Sequence, residues 1–250
     1  MMQQHNLVAM ARELRLAGLA EALELHADNP TIQELAFSER LAMLFLAERE
    51  KRHTNLINRL LKDAKLKLPA IPEEANLSPG RGLDPSKMRE LYKCGWIARG
   101  WNIIISGETG TGKTWLACSI GRAAIRVTHK TKYYRVDDLL YELDLARKDG
   151  YLFKAREKLA KYPLLILDDF GVTPMKQQAK ADLLQVLDDR VGVGSTIFVG
   201  QRPYNDWHEF IDDPLIADAV LDRLSSNRFQ INLQGDSQRR SEANLSTGAA

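Results

Sequence analysis

The sequence contains few cysteines and no long apolar segment. Its two cysteines, Cys94 and Cys118, are too few for a disulfide framework, and we expect both to be reduced thiols. No apolar run approaches the length of about 20 residues that a helix needs to cross a bilayer. The N-terminus also lacks the basic and then apolar pattern of a secretory signal. The sequence therefore predicts a cytoplasmic protein without membrane contact.

The chain also lacks a large net charge. Its formal charge at pH 7 is only +2, so any affinity for nucleic acid must come from a local basic surface. With 44% hydrophobic and 27% charged residues, the composition is that of a globular protein that folds on its own. Its 250 residues suffice for one large domain, or for one medium domain with a smaller one.

The N-terminal quarter of the chain has a helical pattern. Apolar residues such as Leu7, Met10 and Leu14 recur three or four positions apart, and the pattern continues to Leu68. Residues 69–90 contain four prolines and have no sustained period, which is typical of a linker. We therefore predict a helical partner or DNA domain at 1–68, a linker at 69–90, a second domain at 91–240 and a disordered tail at 241–250.

Beyond residue 91, short apolar strands alternate with helical segments. The predicted strands are residues 102–106, 133–136, 164–167, 196–199 and 229–233. Such alternation is typical of a parallel sheet with helices on both faces. We predict an α/β domain with a five-stranded parallel sheet, preceded by a small all-helical domain.

The strongest motif is GETGTGKT, residues 107–114, between the first predicted strand and a helical run. It has the Walker A spacing G-x-x-x-x-G-K-[ST] of a phosphate-binding loop. Its glycines let backbone N–H groups turn toward a phosphate, and the following helix adds its positive dipole. We expect Lys113 to reach the β and γ phosphates of ATP and Thr114 to hold Mg²⁺. The predicted nucleotide-binding set is Gly107, Glu108, Thr109, Gly110, Thr111, Gly112, Lys113, Thr114 and Trp115.

A second motif, LLILDD at 164–169, is a hydrophobic strand that ends in two carboxylates, as a Walker B motif does. A buried central strand ends at the edge of the sheet where ligands of α/β folds bind. We expect Asp168 to bind Mg²⁺ and Asp169 to orient or deprotonate the attacking water. Because aspartate is shorter than the glutamate common at this position, we expect slow hydrolysis. Asp169 could instead be a solvated or helix-capping carboxylate.

With these motifs, the chain resembles the IstB family of insertion-sequence transposition helpers, AAA+ ATPases related to the helicase loader DnaC and the initiator DnaA. The resemblance extends from the helical N-terminal region to Arg240. Beyond the Walker motifs it is carried by LLILDDFG (164–171), QRP (201–203) and AVLDRLSSNRFQINLQGDSQRR (219–240). It implies an AAA+ ATPase that uses Mg²⁺, in the shorter architecture without a C-terminal lid domain.

The resemblance also implies three further site residues. Gln201 takes the sensor-1 position, although the family's Thr-Ser-Gln is Val-Gly-Gln here. Arg223 takes the position of the arginine finger that one subunit lends to its neighbour's ATP, and Arg239 that of a sensor-2-like arginine. Because a finger in trans stabilises charge on the γ-phosphate of another subunit, it requires a homo-oligomer.

The role of Arg223 has an alternative that the sequence leaves open. Charged residues are common on protein surfaces, so Arg223 could simply pair with Asp222 or another neighbour. In that case Arg228 is the next candidate for the finger.

Two locally basic segments are candidate DNA contacts. One runs from Arg49 to Lys67, on what we predict to be one helix, and offers Arg52 and Arg59. The other, residues 141–161, is called the inserted segment because the initiator-like clade inserts a DNA-tracking helix at this place. It offers Arg147, Lys148, Lys154, Arg156 and Lys158. Such cations bind phosphates without sequence choice, and interleaved aromatic side chains can stack or wedge. Either segment could equally be a solvated helix face.

The leading hypothesis is an ATP-dependent, largely sequence-non-specific DNA-binding ATPase. It would oligomerise on double-stranded target DNA and assist an IstA-like transposase. The first alternative is a DnaC-like helicase loader, which shares the ATPase core and differs in its N-terminal partner domain. A small-molecule P-loop kinase is less favoured, because the sequence shows no obvious acceptor-binding lid and the Arg223 pattern suits assembly.

Overall fold

The structure is a computed structural model, and it describes residues 2–78, 80–225 and 227–235. The chain divides into two compact units, Met1–Arg59 and Leu60–Ala250. Among the described helices, none combines the length and the apolar composition needed to span a membrane.

The first unit is helical. It contains α1 (Met2–Glu13), α2 (Ala17–His26), the short α3 (Pro30–Gln33) and most of α4 (Phe37–Ala64). The N-cap residue of α2 is Leu16, whose apolar side chain cannot accept a hydrogen bond from the helix. Glu48 of α4 caps α2 instead. The Glu48 carboxylate accepts hydrogen bonds from the backbone N–H groups of Gly18 (2.8 Å) and Leu19 (3.1 Å). This contact fixes the packing of α2 on α4.

The ionisation of Glu48 is set by opposing effects. Burial raises its pKa, but the hydrogen bond from Arg52 and those from the backbone of Leu19 and Gly18 outweigh burial, so the pKa is lowered. The folded protein therefore favours the charged carboxylate that caps α2.

The segment predicted as a linker, residues 69–90, belongs to the second unit, and several of its residues are part of the packing there. Ala70 and Met88 are buried in one of its hydrophobic cores, and Leu77 and Leu83 pack against that core. The segment contains a 3-10 turn (Pro72–Glu74), and α5 (Pro85–Tyr92) begins within it. The prolines interrupt helical structure, while the apolar residues between them still bury surface. The predicted domain boundaries stay a prediction, and the tail predicted at 241–250 lies outside the described residues.

The second unit is built on a five-stranded parallel sheet in the order β2-β3-β4-β1-β5. Its strands are β1 (Asn102–Gly107), β2 (Thr131–Arg135), β3 (Leu164–Phe170), β4 (Ser195–Gly200) and β5 (Arg228–Leu233). Strands β1, β3 and β4 are buried almost throughout, as expected for parallel strands covered on both faces. The predicted α/β class, with its helical N-terminal region and five-stranded sheet, is confirmed.

Helices cover both faces of this sheet. They are α6 (Lys113–Arg126), α7 (Val136–Lys148), α8 (Leu152–Ala160), α9 (Gln177–Asp188), α10 (Trp207–Ile211) and α11 (Pro214–Ser225), with 3-10 turns at Ile97–Arg99 and Tyr204–Asp206. Ile103 and Ile105 of β1 join the core under α6, whereas Ile104 points into the core on the opposite face. Because all strands are parallel, their C-terminal ends meet along one edge, here called the carboxyl edge.

Candidate functional site

The glycine-rich loop lies at the carboxyl edge, between β1 and α6. Gly107, Gly110 and Gly112 have φ angles of 143°, 90° and 90°, which favour glycine. A Cβ atom on Gly107 would lie 2.3 Å from the carbonyl oxygen of Leu233 in β5. Glycine is therefore required both by the turns of the loop and by the close approach of β5.

Side chains of the loop fold back onto its own backbone. The Lys113 ammonium donates hydrogen bonds of 2.7 Å to the carbonyls of Gly107 and Glu108. The Thr111 hydroxyl donates a 2.8 Å bond to the same Glu108 carbonyl. Lys113 thus lies over the loop predicted to hold phosphate.

The Walker B carboxylate Asp168 faces this loop from the end of β3. It is 1% exposed, and its Oδ2 accepts hydrogen bonds from the hydroxyls of Thr114 (2.8 Å) and Tyr133 (2.6 Å). Its Oδ1 accepts a 2.9 Å bond from the backbone N–H of Asp169. Burial raises the pKa of Tyr133, and its bond to Asp168 acts in the same direction, so the phenol remains a donor.

The oxygens of Thr114 and Asp168 fit a divalent cation. Mg²⁺ prefers hard oxygen ligands and is commonly held by one or two carboxylates together with substrate phosphates. Within the described ranges, no group of three or more His, Cys, Asp or Glu side chains could hold a metal. A divalent cation held by Thr114 and Asp168 would therefore take further ligands from a bound phosphate.

Asp169 lies at an irregularity in the sheet. Leu167 pairs with Phe198 and Phe170 with Gly200, so β3 has one more residue than β4 in this interval. Asp169 has a φ angle of 59°, and a third of its side chain is exposed. The bulge thus presents a second carboxylate beside Asp168, where it lines the cleft.

Three residues that the sequence reasoning missed for this site contact the two carboxylates: Tyr133, Arg135 and Lys67. Arg135 donates a 2.9 Å bond from Nε to Asp169 Oδ2, and Lys67 Nζ lies 3.8 Å from the same oxygen. Arg135 ends β2, and strand register places it opposite Asp168. Alignment of the predicted strands could have indicated Arg135 and Tyr133, whereas no local pattern marks Lys67.

A cleft of about 510 Å³ opens beside these groups. One side carries Thr109 of the phosphate loop, Trp115 of α6 and the two carboxylates of β3. Another wall comes from the segment predicted as a linker and the residue before it: Leu68, Ala75, Asn76, Arg81 and Leu83. The volume is typical of ligand pockets, which are roughly 300–1,000 Å³. Apolar walls beside a phosphate loop suit a nucleotide, with a flat base at one end and charged phosphates at the other.

The residues implied by the family resemblance lie at different places. Gln201 lines the cleft after β4. On α11, Arg223 pairs through Nε with Asp188 of α9, and its Nη1 donates a 2.7 Å bond to the Ala219 carbonyl. Arg223 is not among the residues that line the cleft of its own chain. Arg239 lies outside the described residues.

In the inserted segment, the two arginines bind carboxylates on α9 and just after it. Arg147 pairs with the buried Asp182, and Arg156 makes bonds of 2.8 and 2.9 Å to the two oxygens of Asp189. These guanidinium groups hold α7 and α8 against α9. Their geometry favours a structural role over the predicted contact with DNA.

The lysines and aromatic residues of the inserted segment are more accessible. Lys148 forms a 2.6 Å ion pair with Asp144 at the surface, and Lys154 and Lys158 are exposed. Phe153 is 77% exposed, and Tyr141 is exposed as well. Exposed cations and aromatic rings are thus present on both α7 and α8.

The basic helix of the N-terminal region is shorter than predicted. We expected one helix from Arg49 to Lys67, but α4 ends at Ala64, and Lys65 has a left-handed φ of 51°. The Arg52 side chain donates a 2.6 Å bond to Glu48, and Arg59 is exposed. The last residues of this basic segment therefore lie outside the helix.

The chain is similar to known proteins over most of its length. The sequence model of the family described as IstB-like ATP binding protein matches residues 9–246. The chain is 38% identical to the insertion sequence ATP-binding protein y4pL of Sinorhizobium fredii, covering 96% of this chain and 98% of that protein. It is 40% identical to the IS1162 ATP-binding protein of Pseudomonas fluorescens, covering 81% and 88%.

Solved structures show a similar fold. AMPPCP-bound DnaA from Aquifex aeolicus superposes with a TM-score of 0.58 at 18% identity, covering 73% of this chain and 56% of that one. The DnaC helicase loader superposes with a TM-score of 0.56 at 16% identity, covering 68% of this chain and 100% of that one. At these identities the likeness concerns the fold alone, and it confirms the predicted P-loop AAA+ architecture.

Proposed function

Because this chain belongs to the family of IstB-like ATP binding proteins, we propose that it hydrolyses ATP with Mg²⁺ and assembles on DNA to assist a transposase. The observation that carries this proposal is the 2.8 Å hydrogen bond between Thr114 and Asp168. This bond joins the Walker A and Walker B motifs beside the cleft. The Thr114 hydroxyl and the Asp168 carboxylate are the two groups that hold Mg²⁺ in metal-assisted phosphoryl transfer by P-loop ATPases.

In the proposed reaction, the loop backbone and Lys113 bind the phosphates. To do so, the Lys113 ammonium gives up its hydrogen bonds to the carbonyls of Gly107 and Glu108. Thr114 and Asp168 would hold Mg²⁺, which neutralises charge on the phosphate oxygens when bound. Asp169 then orients the attacking water and accepts its proton. Gln201 is placed at the same cleft to contact the γ-phosphate or that water.

The position of Arg223 supports an oligomer. Because it does not line its own cleft, we propose that it serves the ATP of a neighbouring subunit as an arginine finger. Arg239 keeps its proposed sensor-2-like role. ATP would thereby join subunits of a homo-oligomer, so that assembly depends on nucleotide.

We place the main DNA contact on the exposed lysines of the inserted segment, Lys148, Lys154 and Lys158. Their neighbours Arg147 and Arg156 pair with carboxylates on α9 and just after it, so we expect them to contribute less to DNA binding. Exposed cations of this kind bind phosphates of double-stranded DNA without sequence preference. Arg52 and Arg59 of α4 are the competing contact.

The relatives bear names of insertion-sequence proteins, which favours an IstA-like transposase as the partner. The likeness to the DnaC helicase loader is limited to the fold, so it does not favour a loader. Since the proposed substrate and partner are ATP and DNA, we place the activity in the cytoplasm.

The proposal is tested with purified protein, Mg²⁺, labelled ATP and double-stranded DNA. We expect slow phosphate release by the parent, acceleration by DNA, and transposase strand transfer that requires the protein together with ATP.

Lys113→Ala should lose nucleotide affinity by at least about tenfold, because the backbone loop alone cannot compensate the phosphate charge. The matched control is Lys87→Ala, at an exposed lysine of α5. Equal affinity of Lys113→Ala and the parent would contradict the assigned site.

A further inference from the structure

Lys67 lies beside both carboxylates of the proposed metal site. Its Nζ is 4.0 Å from Oδ2 of Asp168 and 3.8 Å from Oδ2 of Asp169. These distances are those of an ion pair rather than of a hydrogen bond. The ammonium therefore acts mainly through its charge, and it lies at the place where the potential of the two carboxylates attracts a cation.

The backbone on either side of Lys67 is anchored. Before it, the Asp63 carbonyl at the end of α4 accepts a 2.6 Å bond from Lys132, and the Asp63 carboxylate accepts a 3.2 Å bond from the Tyr162 hydroxyl. After it, Leu68 packs against the core that contains α6. The ammonium can therefore approach or leave the carboxylates by side-chain rotation, without rearrangement of the chain.

The thiol of Cys118 on α6 gives a further sign of this anchoring. Burial raises the pKa of Cys118 to about 11, while the backbone N–H groups of Leu68 and Lys67 act in the opposite direction.

We propose that Lys67 and the divalent cation compete for the Asp168 and Asp169 carboxylates. The inference rests on the proposed Mg²⁺ site. In the nucleotide-free protein, the Lys67 ammonium neutralises part of the carboxylate charge and lowers the affinity for free metal. When ATP adds its own negative oxygens, a divalent cation is attracted more strongly than a single ammonium, and Lys67 leaves. Lys67 is thus a positioning residue that makes metal binding depend on nucleotide.

The test measures Mn²⁺ binding to the nucleotide-free full-length protein by electron paramagnetic resonance. Removal of one positive charge about 4 Å from two carboxylates should tighten Mn²⁺ binding on the order of tenfold in Lys67→Met. Lys67→Gln should behave alike, and Lys67→Arg should restore the parent affinity. Lys65→Met is the matched control, because Lys65 is an exposed lysine two positions earlier.

A second arm locates the metal. Combining Lys67→Met with Asp168→Asn should abolish the gain in Mn²⁺ affinity, since the proposed ligand is then removed. Thermal unfolding of each variant checks that the fold is retained.

Two results would overturn the inference: equal Mn²⁺ affinity of the parent and both neutral Lys67 variants, or an equal gain in Lys65→Met. In either case, intact binding of ATP with Mn²⁺ by the parent would leave the proposed function standing. If the parent does not bind ATP with Mn²⁺ at all, the proposed function fails, and the competition fails with it.

Discussion

Arg135 donates a 2.9 Å hydrogen bond from Nε to Oδ2 of Asp169. Arg135 is the last residue of β2 and directly precedes α7, so it joins the start of this helix to the carboxylate proposed to activate water. The hydrogen bond and the charge of Asp169 raise the pKa of Arg135, which stays a cation. The orientation of Asp169 therefore depends on the position of the strand that leads into the inserted segment.

Asp169→Asn should retain nucleotide binding but slow hydrolysis by about 100-fold or more, because an amide can hold water and cannot accept its proton. Labelled ATP titration and phosphate release measure the two effects separately. Asp28→Asn, at an exposed aspartate of the first unit, is the control. Unchanged turnover in Asp169→Asn would show that another group activates the water.

Arg223→Ala should hydrolyse ATP poorly although its own cleft is intact. Mixing it with Asp169→Asn should partly restore phosphate release, because some junctions then combine an intact cleft with an intact finger. The measurement is the rate across mixing ratios at constant total protein.

The ion pair of Arg223 with Asp188 supplies the control for this experiment. Asp188→Asn removes the partner within the subunit and keeps the arginine, so it should retain hydrolysis. If no mixing ratio rescues activity, Arg223 acts within its own subunit or only in packing.

DNA binding in the presence of ATP should weaken as the salt concentration rises. The inserted segment should account for much of this dependence of affinity on salt. Changing Lys148, Lys154 and Lys158 to Gln should flatten a plot of log affinity against log salt by up to about 0.9 for each phosphate that the variant no longer neutralises. A variant with Gln at Arg52 and Arg59 tests the competing surface of α4.

The arginines of the inserted segment provide the control for DNA binding. Arg147→Gln and Arg156→Gln should lower the melting temperature and change the salt slope little, because both side chains pair with carboxylates on α9 or just after it. If only the α4 variant loses affinity, DNA binds at the N-terminal region instead.

Glu48→Gln should reduce the free energy of unfolding of the helical first unit by about 1 kcal/mol at pH 7, which is typical for removal of a charged cap. Folding lowers the pKa of Glu48 from 4.5, so its contribution is present above pH 4.5 and is lost as the pH falls through the folded value. The difference between parent and variant should therefore shrink in acid.

Urea unfolding followed by circular dichroism at pH 7 and at acidic pH measures this difference. Glu50→Gln, at an exposed glutamate on the same helix, should change little at either pH. A difference between Glu48→Gln and the parent that is equal at both pH values would contradict the role of the charge.

The phosphate loop and the strands could be predicted because their signals are local. The residues from Gly107 to Thr114 form the loop with their own backbone, and its φ angles require glycine wherever the chain is placed. In the same way, β3 begins with the apolar run from Leu164 to Leu167, and a strand buried on both faces needs such a run.

The partners of charged side chains could not be predicted from the sequence. Arg147 and Arg156 belong to a basic run, yet their carboxylates lie on α9 and just after it, 35 and 33 residues away along the chain. Lys67 lies about a hundred positions from Asp168, and only the fold brings them within 4.0 Å.

The sequence by itself determined the nucleotide loop, the carboxylate pair and the strand-helix order, because these follow from backbone geometry and from burial along each element. The tertiary structure decided that residues of the predicted linker such as Ala75 and Leu83 line the cleft, that Arg147 and Arg156 pair with carboxylates, and that Lys67 and Arg135 face Asp168 and Asp169. The physical reason is that electrostatic attraction and burial depend on separation in space, and separation in space is fixed only when the strands pair and the helices pack on them.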